Sequence, residues 1–122
     1  MIEKNGQICK QLVDAIAHLE SILAQASLGE IGQELARLRL HFPMTGLSEE
    51  QVGILMADYL EDMAVYPIDI IKKACASYRR KNDSQFFPKI AQLLKLMNED
   101  WYERKYKLKK LKTLLEKSHK GN

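Results

Sequence analysis

The chain has 122 residues, 46% of them hydrophobic and 29% charged, which suffices for one domain with a single modest core. No apolar run approaches the roughly 20 residues that cross a bilayer, and Met1-Ile2-Glu3-Lys4-Asn5-Gly6 lacks the layout of a signal peptide, so a cytoplasmic protein without membrane contact is expected. The net charge of +3 is unevenly spread, because residues 101–122 carry eight Lys/Arg against Glu103 and Glu116 while residues 1–100 carry 11 basic and 14 acidic groups; a basic arm on a slightly acidic body implies an acidic partner, nucleic acid included.

In chain order, the first element is an amphipathic helix from Gln7 to Ala26. Ile8, Leu12, Ala15, Leu19, Ile22 and Ala26 recur at alternating intervals of four and three, with Val13, Ile16 and Leu23 widening the stripe. Ser27, Gly29 and Gly32 loosen the chain, and a shorter helix is expected from about Glu30 to Leu40 with Ile31, Leu35 and Leu38 inward. The stretch His41-Phe42-Pro43-Met44-Thr45-Gly46-Leu47 reads as a loop, since the residue before proline is biased away from helix and Gly46 ends a regular run. Ser48-Glu49-Glu50-Gln51 has the spacing of a capping box and starts a helix running to about Ala64. Val52, Leu55, Met56, Tyr59, Leu60 and Met63 form its inner face, and Asp58, Glu61 and Asp62 its outer one.

Pro67 and Pro88 each stand just ahead of an apolar stripe and are expected at a first helical position, where a missing N–H costs nothing. The helix after Pro67 buries Ile68, Ile71, Ala74, Cys75 and Tyr78. Arg79-Arg80-Lys81-Asn82-Asp83-Ser84-Gln85 then forms an exposed connection, and one ring of Phe86-Phe87 is placed to staple the next helix. That last helix shows no Gly or Pro until Gly121, and its seam runs Ile90, Leu94, Met97, Trp101, Arg104, Leu108, Leu111 and Leu115, with Arg104 the only polar interruption. Thirty residues of helix span about 45 Å, so its second half must project or pair, and the first helix, with the same seam period, is the obvious mate within the chain or from a second copy. No period-two alternation appears. The expected fold is all-α, a compact bundle of about five helices in a single domain, with 7–100 as its body and 101–122 as a basic extension.

Chemistry is sparse. His18, His41 and His119 have no partners at metal-ligand spacing, no Gly-rich phosphate loop is present, and the acids of the third helix read as a solvated face, so neither a metal, a cofactor nor an enzyme is expected. Cys9 and Cys75 sit in helical apolar patterns and read as buried free thiols. Two basic groups are candidates for contact with nucleic acid or an acidic partner. The first is Arg79, Arg80 and Lys81, which also complement a helix C-terminus. The second is Arg104, Lys105, Lys107, Lys109, Lys110 and Lys112, interleaved with Tyr102 and Tyr106 as in a surface that tracks a nucleic-acid backbone. The candidate helix-seam or oligomer contacts are Ile8, Leu12, Leu19, Ile22, Trp101, Leu108, Leu111 and Leu115.

An order of features in the middle of the chain carries a family resemblance: Tyr59-Leu60-Glu61-Asp62 at a helix end, then Tyr66-Pro67, a helix with Ala74 and Tyr78, a short polar loop, and Phe87-Pro88-Lys89-Ile90-Ala91-Gln92-Leu93. Over about residues 35–100 it resembles the N-terminal domain of the phage replicative-helicase loaders, small proteins that both inhibit and load the hexameric helicase. Tyr66, Pro67, Phe87, Pro88, Ile90 and Leu93 match the motif, whereas Lys89 stands where Thr is usual and Gln92 where Glu is usual. The resemblance implies a non-enzymatic replication accessory protein of phage or prophage that binds a replicative helicase or another replication protein. Contact with DNA is then expected from the basic arm, lost on reversing Lys109, Lys110 and Lys112 to Glu. Two alternatives stand beside it: a structural module that dimerises through its first and last helices, and a small DNA-binding regulator that uses the helix pair from Pro67 to Met97.

Overall fold

The computed structural model describes the backbone of residues 2–120 and the side chains of residues 6–118. The side chains of His119 and Lys120, the helix-ending Gly121 and the side chains of the N-terminal stretch lie outside the described residues. The protein is all-α, with five helices and no strand among the described residues: α1 (Ile2–Ile22), α2 (Leu28–His41), α3 (Glu49–Met63), α4 (Ile68–Arg80) and α5 (Ile90–Lys120). They form two compact units, residues 25–100 and residues 1–24 with 101–122. α1 and the C-terminal part of α5 belong to the same unit.

In the unit 25–100, α2, α3, α4 and the start of α5 bury the residues their periodicity marks. Ile31, Leu35 and Leu38 come from α2, Val52, Tyr59 and Met63 from α3, Ile71, Ala74, Cys75 and Tyr78 from α4, and Met97 from α5; on α5 it is Leu93, off the expected seam, that is buried, while the seam residues Ile90 and Leu94 are half-buried. Leu55, Met56, Leu60 and Ile68 are only half-buried, while Ile70 and Glu34 are buried without having been marked.

Caps set the helix limits. Ser48 accepts from the Gln51 N–H while Gln51 reaches back to the Ser48 N–H, the capping box that its spacing predicts. A second box starts α2: the Ser27 hydroxyl accepts from the Glu30 N–H at 3.1 Å and the Glu30 carboxylate accepts from the Ser27 N–H at 2.9 Å. These bonds hold the Glu30 carboxyl below its ordinary value. Ser27 therefore initiates a helix where it was expected to loosen the chain, and α2 starts at Leu28. α1 ends at Ile22, short of the expected Ala26, and Ser27 is extended (ψ 156°) as an N-cap residue must be. Ala26 consequently leaves the helical seam and its N–H pairs with the Tyr66 carbonyl at 2.9 Å. At its other end α1 extends back to Ile2.

Neither proline occupies a first helical position. Pro67 is the N-cap of α4 with ψ 151°, and Pro88 lies two residues ahead of α5. The residue before α5 is Lys89, whose N–H donates to the Gln92 side chain at 2.8 Å. Gly46, with φ +81°, turns the α2–α3 loop in a conformation that side chains resist. The connection after α4 is pinned by tyrosines. Tyr78 donates to the Phe86 carbonyl at 2.5 Å, Tyr59 to the Pro88 carbonyl at 2.8 Å, and Ser84 to the Tyr78 carbonyl at 2.8 Å. Phe87 lies against the Tyr59 ring, and Phe86 faces solvent.

In the other unit, α1 and the C-terminal part of α5 run antiparallel. Cys9 Sγ meets Ser118 Oγ at 3.2 Å near one end, and Arg104 Nη1 donates to the Ile22 carbonyl at 2.8 Å at the other. The seam residues Leu12, Leu19, Ile22, Trp101, Leu108, Leu111 and Leu115 are half-buried, Ile8 is exposed, and Ile16 is the deepest apolar side chain of the pair. The long helix thus pairs with the first one within the chain.

Candidate nucleic-acid interface

The candidate interface is the part of α5 that follows Trp101. Helical periodicity divides its side chains between two directions. Arg104, Leu108, Leu111, Leu115 and Ser118 fall on the side that meets α1, and Tyr102, Tyr106, Lys109, Lys110, Thr113 and Lys117 fall on the opposite, exposed side. The tight sequence of cations arises because lysine has good helix propensity and a long stem, so a helix can carry many without unwinding.

The structure separates the basic residues that the sequence grouped together. Arg104 turns inward and caps the C-terminal carbonyl of α1 at Ile22, where a cation also complements the helix dipole. That role explains the one polar position in the apolar seam and removes Arg104 from the set offered to a ligand. Lys107 pairs with Glu103 one turn earlier at 3.1 Å, and Lys112 with Glu20 of α1 at 3.3 Å. Lys105 stands with its ammonium 4.1 Å from the centre of the Trp101 ring and 5.8 Å from that of Tyr102. Among the described residues, Lys109, Lys110 and Lys117 are exposed and make no ion pair. Lys117 was absent from the residues chosen on sequence, although it continues the spacing from Lys109 and Lys110.

A shallow open groove of about 360 Å³ runs along one flank, lined by Lys105, Leu108, Lys109, Lys112, Thr113 and Glu116. The Thr113 hydroxyl donates to the Lys109 carbonyl at 3.0 Å, so it serves its own helix. The groove carries three lysines and one leucine in its lining, with Glu116 as the one acid. It can hold an anionic chain electrostatically and offers no nucleophile, general base or paired carboxylates. Tyr102 and Tyr106 are 57% and 66% exposed, high for aromatic side chains on a helix that has an apolar seam available.

The other basic group belongs to the unit 25–100. Arg79 and Arg80 occupy the last turn of α4, half-buried and exposed respectively, and Lys81 is its exposed C-cap. The motif residues have structural duties in the same unit. Tyr66 is buried and donates to Asn98 Oδ1 at 2.5 Å, Pro67 caps α4, Phe87 packs on Tyr59, and Pro88 presents its carbonyl to Tyr59. Leu93 is fully buried and Ile90 half-buried. No group of three or more His, Cys, Asp or Glu among the described residues could hold a metal ion, and no helix among them is long and apolar enough to cross a membrane. No family model matches the sequence, and no curated protein or solved structure is significantly similar to it.

Proposed function

We propose that this chain is a non-enzymatic accessory protein of DNA replication, of phage or prophage origin, acting in the cytoplasm as an adaptor of the helicase-loader kind. Its helical unit 25–100 holds a replicative helicase, and the exposed face of α5 contacts DNA. The observation that carries the DNA half is the sorting of cations on α5: Lys109, Lys110 and Lys117 remain exposed without an acidic partner among the described residues, beside Lys105 over its aromatic rings. The helicase half rests on the motif resemblance, whose residues all lie inside one compact unit.

The test has two arms. A pull-down at moderate salt after nuclease treatment is expected to recover the hexameric replicative helicase, and its failure to do so removes the helicase half. Binding to DNA is expected to weaken steeply with salt, as fewer condensed counterions are released per contact. Changing Lys109, Lys110 and Lys117 together to Glu should abolish it. Lys112 is better left intact, since its reversal would set two acids against each other at Glu20 and damage the helix pair.

A second reading, self-association through α1 and α5, is favoured by one observation: most of the apolar seam between these helices stays half-exposed, with Ile16 the exception. On that reading the cations keep the assembly dissolved.

A further inference from the structure

We infer that the exposed face of α5 is a binding site for single-stranded DNA, with Tyr102 and Tyr106 as base-stacking platforms and Lys105, Lys109, Lys110 and Lys117 as the track for the phosphates. The inference rests on the DNA contact proposed above and names its substrate class.

Three features separate single strand from duplex. First, Tyr102 and Tyr106 are one helical turn apart, about 6 Å along the axis, and both rings are more than half exposed on the side away from α1. Rings in that position contribute nothing to the helix pair, whereas every unpaired base has a face to lay on them. Second, Tyr102 is held in place before any ligand arrives. Its ring lies 5.3 Å from Trp101, tilted by 40°, and the Lys105 ammonium sits 5.8 Å from its centre. A platform already fixed loses less side-chain entropy on binding.

Third, the surface is ill suited to a duplex. A helix that reads the major groove carries phosphates along both of its flanks. Here Glu103 and Glu116 interrupt the flanks, and α1 lies along α5 from Arg104 to Ser118. The face offers lysine and tyrosine but no Arg, Asn or Gln to form bidentate bonds with base edges. Bases of a duplex are closed to the tyrosine rings, so a duplex would use the lysines alone.

The test is fluorescence anisotropy with the full chain at about 50 mM salt, comparing labelled oligothymidine of about 20 nucleotides with a duplex of the same length. Single strand is expected to bind about tenfold more tightly. The double variant Tyr102→Ala/Tyr106→Ala should weaken oligothymidine binding by tenfold or more while leaving duplex binding unchanged. Tyr102→Phe/Tyr106→Phe should restore it, because the ring and not the hydroxyl supplies the stacking, and circular dichroism checks that each variant keeps its helix. Duplex bound as tightly as single strand, or alanine variants that bind oligothymidine like the parent, would overturn the inference while leaving the DNA contact standing. Absence of binding to both probes would overturn the two together.

Discussion

Cys75 and Lys89 show how a single side chain reports its surroundings. Cys75 is fully buried on α4, and its thiol is pushed up to about 12, first by loss of solvent and then by the negative charge of Glu34. The thiolate is the reactive form, so Cys75 should resist iodoacetamide at pH 8 in the folded protein and react once urea unfolds it. Mass spectrometry of labelled peptides would measure this, and labelling of Cys75 in the native state would show that α4 opens readily. Lys89 illustrates a different point. Gln92 already reaches back to the Lys89 N–H, which is one half of a capping box, while the Gln92 N–H turns to the Lys89 backbone carbonyl at 3.0 Å because the lysine side chain has no oxygen to accept it. Changing Lys89 to Thr should complete the box and stabilise the protein by about 0.5–1 kcal/mol, read as a higher unfolding midpoint in urea. No gain would mean that the backbone at Lys89 cannot present a hydroxyl to α5.

Among the elements, α5 carries the most information. Its apolar seam is interrupted by Arg104, and the interruption has a cause that lies on another helix, the last carbonyl of α1. Existence and type of all five helices follow from periodicity, as does the inward face of α2. The starts and stops were less accessible. Ser27-x-x-Glu30 has the same spacing as Ser48-x-x-Gln51, but glycines at 29 and 32 inside the first turns give that stretch the composition of a loop, so the cap that starts α2 at Leu28 is masked. The candidate interface was legible as a basic arm with interleaved tyrosines. Which lysines it exposes was not, since Lys107 and Lys112 differ from Lys109 and Lys110 only in having an acid within reach.

At the scale of the molecule, contacts join the two ends of the chain into one unit and gather residues 25–100 into another. A two-helix pair has little interior, and its leucines gain only part of the stabilisation that burial gives. If a second copy covers the seam, sedimentation should show a dimer that grows with concentration and is lost when Leu108 and Leu111 are both changed to Gln. A parent chain that remains monomeric over about 1–100 µM would dismiss self-association, since a dimer that weak lies outside the range of stable interfaces. The proposed contact with DNA does not depend on that outcome, because Tyr102, Tyr106 and Lys109 lie on the side of α5 away from α1.

By itself, the sequence determined the all-α class, the five helices, the Ser48 cap and the inward face of α2, because periodicity and capping act between residues three or four apart. Only the tertiary structure decided that the last helix pairs with the first inside the chain, that Arg104 belongs to that pairing, that Lys105 stands over the Trp101 ring, and that Lys109, Lys110 and Lys117 are left with the two tyrosines on an open face. The physical reason is that a heptad seam specifies which side of a helix must be covered without specifying by what. A lysine likewise becomes available or engaged only when the fold brings an acid or a ring within a few ångströms of it.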